Sequence, residues 1–163
     1  MEKTQIKTAT LTKAGLIAGL YVAISLVIAP YSFGAVQFRF AEMFNHLAVF
    51  NKRYIWALTL GCLITNFFSP LGVIDVVCGT LGTLVMTTIS YFVSRYVKSV
   101  ALKLTISTVV CTLAMWSVAL ELHVINHLPF WPTYLTVAIG ELVSMVVGGF
   151  LIYAVSRQID LTK

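Results

Sequence analysis

Charged side chains are scarce in this chain of 163 residues: they make up 10% of it, while hydrophobic residues make up 59%. A soluble domain of this size cannot bury so much apolar surface, because small domains keep a large share of their residues in contact with water. The mean hydropathy of +0.92 therefore argues against an ordinary soluble protein and indicates one whose apolar surface faces lipid.

Catalytic motifs are missing as well. The glycine-rich stretch Gly79–Thr83 lacks the Gly-Lys-Ser/Thr ending of a phosphate loop and lies inside an apolar run. The chain has no Gly-x-Ser-x-Gly and no His-Glu-x-x-His sequence, so we expect no enzyme, and ATP and Mg²⁺ would have to bind another chain. Cys62, Cys78 and Cys111 lie in apolar runs without metal-ligand spacing, which predicts buried free thiols and neither metal nor cofactor.

Apolar runs separated by helix-breaking sequences predict six membrane-spanning helices. The second and third runs are short, since a 13-residue helix covers about 20 Å and the hydrocarbon core is ~30 Å thick. Five spans with a hairpin are the alternative. The predicted spans are Leu11–Ala29, Phe38–Phe50, Tyr54–Phe68, Gly72–Phe92, Leu102–Leu122 and Thr133–Val155.

The basic residues predict the orientation of the spans. With a cytoplasmic N-terminus, ten of the eleven Lys and Arg residues fall on the cytoplasmic side, and Arg39 alone lies in the outer half. We therefore predict an all-α integral membrane protein: one domain over residues 1–163, a six-helix bundle with both termini in the cytoplasm. The net charge of +5 does not indicate nucleic acid, because the basic residues lie at the ends of apolar runs.

The outer half of the predicted bundle collects polar residues. An ionisable group at the centre of a spanning helix costs ~2.5–3.5 kcal/mol on insertion scales, so these groups should face one another rather than lipid. On an α-helix, Arg39, Glu42 and His46 would share one stripe, because they are spaced i, i+3, i+7. The polar residues of the outer half are Arg39, Glu42, Asn45, His46, Asn66, Asp75, Glu121, His123, Asn126, His127 and Glu141.

Several of these residues also have a purely structural interpretation. Arg39 and Glu42 can neutralise each other as an i, i+3 pair. Asp75 can cap the start of the fourth span, and Glu121, beside a loop, can be solvated. The histidines are more often polar fillers than metal ligands at these spacings. Glu141 has no basic neighbour in its own span, which makes it the strongest functional candidate.

The excess of acids in the outer half predicts the kind of ligand. Four acids, Glu42, Asp75, Glu121 and Glu141, face one base. Such a pocket complements a cation or a solute rich in N–H donors. Aromatic residues could stack on a flat ring, although Trp and Tyr also gather at membrane interfaces. They are Phe33, Phe38, Phe40, Trp116, Phe130, Trp131 and Tyr134. We predict a flat, basic heterocycle as the ligand.

The first span carries small residues four apart, an arrangement that allows another helix to approach closely. This pattern predicts either a surface for a partner chain or packing inside the bundle. The residues are Ala14, Ala18 and Val22, with Gly15, Gly19 and Ala23 beside them.

Two segments resemble the queuosine-precursor transporter (QueT) family. They are "APYSFGAVQFRFAE", Ala29–Glu42, and "RYIWALTLGCLITNFFSPLGVIDVVCGTLGTL", Arg53–Leu84, and "AIGELVSMVVGG" around Glu141 is similar more loosely. The members of this family are substrate-binding S components of energy-coupling-factor (ECF) transporters. The resemblance implies an S component in a prokaryotic plasma membrane. It would bind its solute from outside and work with a transmembrane T component and two ATPase subunits.

The resemblance also implies a substrate and roles for the polar residues. The substrate would be a 7-deazaguanine, most closely the 7-aminomethyl form, which offers a flat ring, adjacent N–H donors and an ammonium group. The implied roles are Glu141 or Glu42 for N1–H and the exocyclic amine, Asp75 or Glu121 for the ammonium, Asn66 or Gln37 for the carbonyl, Arg39 for holding an acid, and Ala14 and Ala18 for docking the T component.

Other functions stay open. An S component for thiamine or riboflavin would share every feature except the identity of the pocket groups. A stand-alone, ion-coupled carrier would use Glu141 and Asp75 to relay protons. A membrane scaffold or an intramembrane enzyme would bind no small solute stoichiometrically. His46 departs from the pattern that we associate with the family, and if it reached the pocket, binding would depend on pH.

Overall fold

The structure, a computed structural model, describes residues 2–28 and 39–162, with side chains from residue 11 onward. Within these ranges the chain forms six α-helices and one 3₁₀ helix and contains no strand. In chain order they are α1 (Glu2–Val27), the 3₁₀ helix (Phe40–Val49), α2 (Arg53–Asn66), α3 (Val73–Ser94), α4 (Val100–Ala114), α5 (Trp116–Asn126) and α6 (Phe130–Ser156).

Three helical stretches are long and apolar enough to cross a membrane: Val73–Ser94, Val100–Asn126 and Phe130–Ser156. Leu11–Val27 is a shorter apolar helix. The second of the long stretches differs from the single helix predicted over Leu102–Leu122, because α4 and α5 are separated by a turn at Met115. Met115 keeps right-handed helical angles (φ −61°, ψ −10°), so the apolar stretch remains continuous.

The second predicted span is a 3₁₀ helix rather than an α-helix. A 3₁₀ helix rises about 2.0 Å per residue with 3.0 residues per turn, and runs longer than about four residues are uncommon. This one has ten residues, eight of them buried, and packs against α1, α2, α3, α4 and α6. The polar segment of the sequence therefore forms the centre of the bundle.

Glycines allow close packing around this centre. A Cβ atom added at Gly148 of α6 would collide with the Met43 side chain and lie 2.8 Å from the Met43 Cα atom. One added at Gly61 of α2 would lie 3.0 Å from the Cβ atom of Tyr21 on α1. The 3₁₀ helix can therefore approach α6, and α1 can approach α2, only because these positions carry no side chain.

Two apolar clusters flank the polar centre. One surrounds the 3₁₀ helix and includes Tyr21, Leu58 and Leu104. The other joins α3, α4, α5 and α6 and includes Met86, Cys111 and Met145. The outer surface is also apolar, with Trp56 68% and Phe150 75% exposed. Large apolar side chains on the outside are expected when the solvent around the helices is lipid.

Candidate functional site

The four acids predicted to face one another come from four different helices and are all buried. Glu42 of the 3₁₀ helix and Glu141 of α6 are each 1% exposed, Asp75 of α3 is 0% exposed and Glu121 of α5 is 6% exposed. The Arg39 side chain, at the start of the 3₁₀ helix, is 12% exposed. We call these five residues the acid cluster.

Glu42 is held by hydrogen bonds to both carboxylate oxygens. The Tyr21 hydroxyl of α1 donates to Oε1 at 2.9 Å, and Asn45 Nδ2 donates to Oε2. Arg39 Nη1 lies 3.9 Å from Oε1. The 3₁₀ geometry explains this arrangement, because three residues per turn put Arg39, Glu42 and Asn45 in one row. Glu42 is thus a carboxylate whose acceptors are already used by the protein.

Glu141 has the opposite character. Among the described residues, neither of its carboxylate oxygens has a hydrogen-bond partner. It lies within electrostatic range of Glu42 and Arg39. The neighbouring Ser144 hydroxyl donates instead to the Gly140 carbonyl at 3.0 Å. A buried carboxylate with unused acceptors is costly unless a donor reaches it, so Glu141 is the group in the cluster best suited to accept hydrogen bonds from a ligand.

Asp75 stands in the first turn of α3 beside Arg39. Arg39 Nη2 lies 3.9 Å from Asp75 Oδ1, and within the described chain neither Asp75 oxygen accepts a hydrogen bond. The carboxylate therefore does not cap α3 through a hydrogen bond. Asn66 of α2 donates from Nδ2 to the Asp75 main-chain carbonyl at 2.9 Å. A Cβ atom at Gly79 would lie 2.5 Å from Asn66 Nδ2 and 2.9 Å from Asp75 Oδ1, so a side chain at this position would displace both groups.

Glu121 completes the cluster from α5. Its burial contradicts the interpretation of this residue as a solvated side chain beside a loop. Its Oε1 atom has no hydrogen-bond partner in the part of the chain that the structure describes. It interacts electrostatically with Asp75 and Arg39. After Glu141 and Asp75, Glu121 is therefore the third acid of the cluster with an oxygen that the described residues leave unused.

Two small cavities adjoin the cluster; Arg39 lines both, and Glu141 and Asp75 line neither. Each has a volume of about 20 Å³, room for about one water molecule. The α5-side cavity is lined by Arg39, Cys78, Gly79, Gly82, Thr83, Met86, Ala114, Met115, Ser117, Val118 and Glu121. The α1-side cavity is lined by Tyr21, Ser25, Arg39, Ala41, Glu42, Thr65 and Asn66.

A much larger groove of about 740 Å³ runs between α3 and the pair α4 and α5. Its lining is almost entirely apolar, with Leu81, Val85 and Leu120 among the exposed side chains along it. The groove lies on the outer surface of the bundle, where lipid is the surrounding medium. The groove also reaches Glu121 and so borders the acid cluster, but the buried polar groups are concentrated in the cluster, which is therefore the candidate site for a polar ligand.

Comparison with known proteins gives the family of the chain. The family model described as QueT transporter matches residues 11–157. The chain belongs to the QueT transporter family. The queuosine precursor transporter QueT of Lactococcus lactis subsp. cremoris (strain MG1363) is 34% identical to it over 166 aligned positions, which cover 96% of this chain and 98% of the relative. No solved structure matches the chain.

The family and the apolar helices together make the chain a multi-pass transport protein of the cell membrane. The resemblance seen in the two quoted sequence segments is confirmed by the family match. Of the predicted substrate-binding residues, Arg39, Glu42, Asp75, Glu121 and Glu141 are buried in the acid cluster, and Asn66 lies beside Asp75. Gln37 lies outside the described residues.

His46 does not share the row of Arg39 and Glu42. Its Nε2 atom lies 2.8 Å from the Met145 carbonyl oxygen of α6, and Nε2 would be 3.4 Å from a Cβ atom at Gly149. The spacing i, i+7 joins one stripe on an α-helix but not on a 3₁₀ helix, where the row is i, i+3, i+6. The prediction of a shared stripe was wrong for this reason. Asn45, and not His46, follows Arg39 and Glu42 in the row.

The aromatic residues of α5 and α6 form a separate cluster. His123, Phe130, Trp131 and Tyr134 pack together through edge and stacked ring contacts, and Trp131 is 71% exposed. None of them lines either polar cavity in the described part of the chain. The aromatic side chain that does so is Tyr21, which the sequence did not single out.

Two further residues of the site were not identified from the sequence. Cys62 of α2 accepts hydrogen bonds from the Thr83 hydroxyl at 3.2 Å and from Asn66 Nδ2 at 3.4 Å. Cys62 and Thr83 therefore fix the side chain of Asn66 beside Asp75. A cysteine and a threonine in apolar spans give no such signal in the sequence. Cys62 and Cys111 are buried free thiols as expected, whereas Cys78 is exposed.

The small residues of α1 divide between its two faces. Ala18 is buried and Ala14 is half-buried, so the pair predicted to meet a partner chain lies toward the bundle. Gly15, Gly19 and Ala23 are exposed, and no atom of the described residues lies within 4 Å of a Cβ added at either glycine. The exposed small residues of α1 are therefore Gly15, Gly19 and Ala23, and not the predicted docking residues Ala14 and Ala18.

Proposed function

We propose that this chain is the substrate-binding S component of an ECF-type importer and that it takes up a queuosine precursor from outside the cell. The ligand would be a 7-deazaguanine, most closely 7-aminomethyl-7-deazaguanine. The family and the name of the Lactococcus lactis relative support the substrate class. The chain itself would not hydrolyse ATP, and partner ATPase subunits would do so.

One observation carries the proposal: the buried carboxylate of Glu141 has two oxygens without hydrogen-bond partners among the described residues. The N1–H and exocyclic amine of a deazaguanine form two parallel donors, which match two carboxylate oxygens. A molecule that lacks these donors would leave a buried charge unpaired, so the contact would discriminate strongly between ligands. Glu42 is less suited to this role, because Tyr21 and Asn45 already donate to its oxygens.

The role of Asp75 and Glu121 follows from the same comparison of carboxylate oxygens that do and do not accept hydrogen bonds. Asp75 and Glu121 have unpartnered oxygens in the described structure and would receive the ammonium group. The ring carbonyl would be contacted by Gln37, or by Asn66 after its Nδ2 releases the Asp75 carbonyl or the Cys62 sulfur to which it now donates. Arg39 and Glu42 would form the frame of the site. Each cavity of about 20 Å³ is far below the ~300–1,000 Å³ of usual ligand pockets, so the site would have to open during binding.

The proposal includes six membrane crossings with both termini in the cytoplasm. The ten-to-one distribution of the basic residues supports this orientation. The T component would dock on α1 through the exposed small residues Gly15, Gly19 and Ala23. Ala14 would border this surface, and Ala18 would support it from inside, where it packs in the bundle.

The substrate is tested by mass spectrometry of small molecules released from the purified protein, followed by calorimetric titration. The panel contains 7-aminomethyl-7-deazaguanine, 7-cyano-7-deazaguanine, guanine, thiamine and riboflavin. We expect a 7-deazaguanine to be released and to bind most tightly. Tight binding of a vitamin instead would keep the S-component role and refute the substrate, and no binding across the panel would refute both.

The energy source is tested by reconstitution into liposomes with and without a T component and two ATPases. We expect uptake only when all partners and internal ATP are present, because the chain contains no nucleotide-binding motif. Uptake by this chain alone, driven by an ion gradient, would show a stand-alone carrier. A glycine substitution on α1, such as Gly19→Leu, should abolish uptake and leave ligand binding unchanged.

A further inference from the structure

Arg39 occupies an unusual place in the acid cluster. It is the side chain that lines the α5-side cavity and the α1-side cavity together. Its guanidinium group stands between Glu42 of the 3₁₀ helix and Asp75 of α3, with N–O distances of 3.9 Å to each. Arg39 is therefore the one described residue that both cavities share, and it lies between two acids from different helices.

The contacts that hold the guanidinium group are weak for a buried ion pair. Charge-assisted N–H···O bonds are usually about 2.7–2.9 Å long, about 1 Å shorter than these. Arg39 Nη2 has no hydrogen-bond partner among the described residues, and neither has Asp75 Oδ1 or Oδ2. Arg39 therefore balances the charge of Asp75 without forming the hydrogen bonds that would fix it there.

Asp75 is also screened from both cavities. It lines neither of them, although Gly79, whose Cβ position is 2.9 Å from Asp75 Oδ1, lines the α5-side cavity. A rotation of the Arg39 side chain away from Asp75 would leave the two unused oxygens of Asp75 without their ion-pair partner among the described residues. Arginine side chains carry several rotatable bonds, so this movement requires no change in the helices.

We propose that Arg39 is a displaceable partition: it separates the two halves of the ligand site and neutralises Asp75 until the cationic group of the ligand takes its place. This inference rests on the proposed function for the identity of the ligand. Arg39 then determines specificity, because a neutral ligand cannot replace its charge beside Asp75. The ion pair with Glu42, three residues away on the same helix, is retained throughout.

The first test is a double-mutant cycle with a charged and a neutral ligand. Calorimetry gives the affinity of wild type, Arg39→Gln, Asp75→Asn and the double variant for 7-aminomethyl-7-deazaguanine and 7-cyano-7-deazaguanine. Arg39→Gln should raise the preference for the aminomethyl over the cyano form by about tenfold, since one competing charge is removed. Asp75→Asn should abolish the preference, and the double variant should behave like Asp75→Asn.

The control is Arg157→Gln, which removes an exposed arginine after the end of α6 and should change neither affinity. An equal loss of affinity for both ligands in Arg39→Gln would overturn the proposal and make Arg39 a structural residue. If Arg39→Gln does not fold, Arg39→Gln with Glu42→Gln removes the ion pair as a whole and leaves the net charge unchanged. The same rise in preference is then expected.

A second test does not depend on the identity of the substrate. In Arg39→Ala, guanidinium chloride at millimolar concentration should raise the melting temperature, because a free guanidinium ion can occupy the place of the side chain. Wild type and Arg157→Ala should show no such rise. If wild type binds neither deazaguanine but rescue occurs, the proposed function fails, while the guanidinium site beside Asp75 on which the partition depends is supported. Absence of rescue in a folded Arg39→Ala protein overturns the partition.

Discussion

Glu42 and Glu141 are equally buried, each 1% exposed, yet their surroundings differ completely. The carboxylate on the 3₁₀ helix accepts hydrogen bonds from Tyr21 and Asn45, while the carboxylate on α6 accepts none from the described residues. The two helices pack directly against each other. Burial and charge alone thus do not distinguish these two acids, but the number of their oxygens that accept hydrogen bonds within the protein does.

The largest expected effect comes from exchanging the two acids for amides one at a time. Glu141→Gln should weaken ligand binding by at least about 100-fold, because an amide cannot accept two N–H donors with a full charge. Its melting temperature should stay the same or rise, since the change removes a buried charge that has no hydrogen-bond partner among the described residues. Calorimetry and the melting temperature of the purified protein measure both effects.

Glu42→Gln is the matched partner of that experiment. It should lower binding by about tenfold or less and lower stability by about 1–3 kcal/mol, because the bonds from Tyr21 and Asn45 lose their charged acceptor. The comparison fails if Glu42→Gln abolishes binding in a protein of unchanged stability. In that case Glu42 would be the acid that contacts the ligand.

The distance between the two acids depends on Gly148. This residue of α6 faces Met43, the neighbour of Glu42, so Gly148→Ala should force the 3₁₀ helix and α6 apart. Overpacking of this kind costs about 1–3 kcal/mol. We expect a lower melting temperature and weaker binding. Gly19→Ala on the open face of α1 is the control and should not lower stability, because its Cβ would meet no atom of the described part of the chain within 4 Å. Equal melting temperatures for both variants would refute the close contact.

Much of this arrangement could be predicted from periodicity, and α6 shows why. The stripe of Thr133, Val137, Gly140, Ser144 and Gly148 around Glu141 is buried in the structure, as a 3.6-residue repeat over a long helix requires. The bounds of α3 and α6 also lie within a few residues of the predicted spans. Long apolar helices carry enough turns for the pattern to be unambiguous.

The central segment could not be predicted in the same way. Over ten residues, an i, i+3 spacing fits a 3₁₀ helix as well as an α-helix, so Arg39 and Glu42 did not reveal which of Asn45 and His46 would join their row. The sequence also does not indicate which residue a buried tyrosine in an apolar span will contact. Tyr21 and Glu42 are 21 residues apart, and only the packing of α1 against the 3₁₀ helix brings them together.

The smallest expected effect comes from removing one of the hydrogen bonds that distinguish Glu42 from Glu141. Tyr21→Phe removes the hydroxyl that donates to Glu42 Oε1 at 2.9 Å and leaves the ring against Gly61. Stability should fall by about 1–2 kcal/mol, and binding by only a few-fold, because Asn45 and Arg39 still hold the carboxylate. Tyr96→Phe, at a site 91% exposed, is the control and should change neither quantity. If Tyr21→Phe impaired binding as severely as Glu141→Gln, the tyrosine would itself contact the ligand from the α1-side cavity. The surroundings of Glu42 would then belong to the binding site, and the separate roles proposed for Glu42 and Glu141 would be refuted.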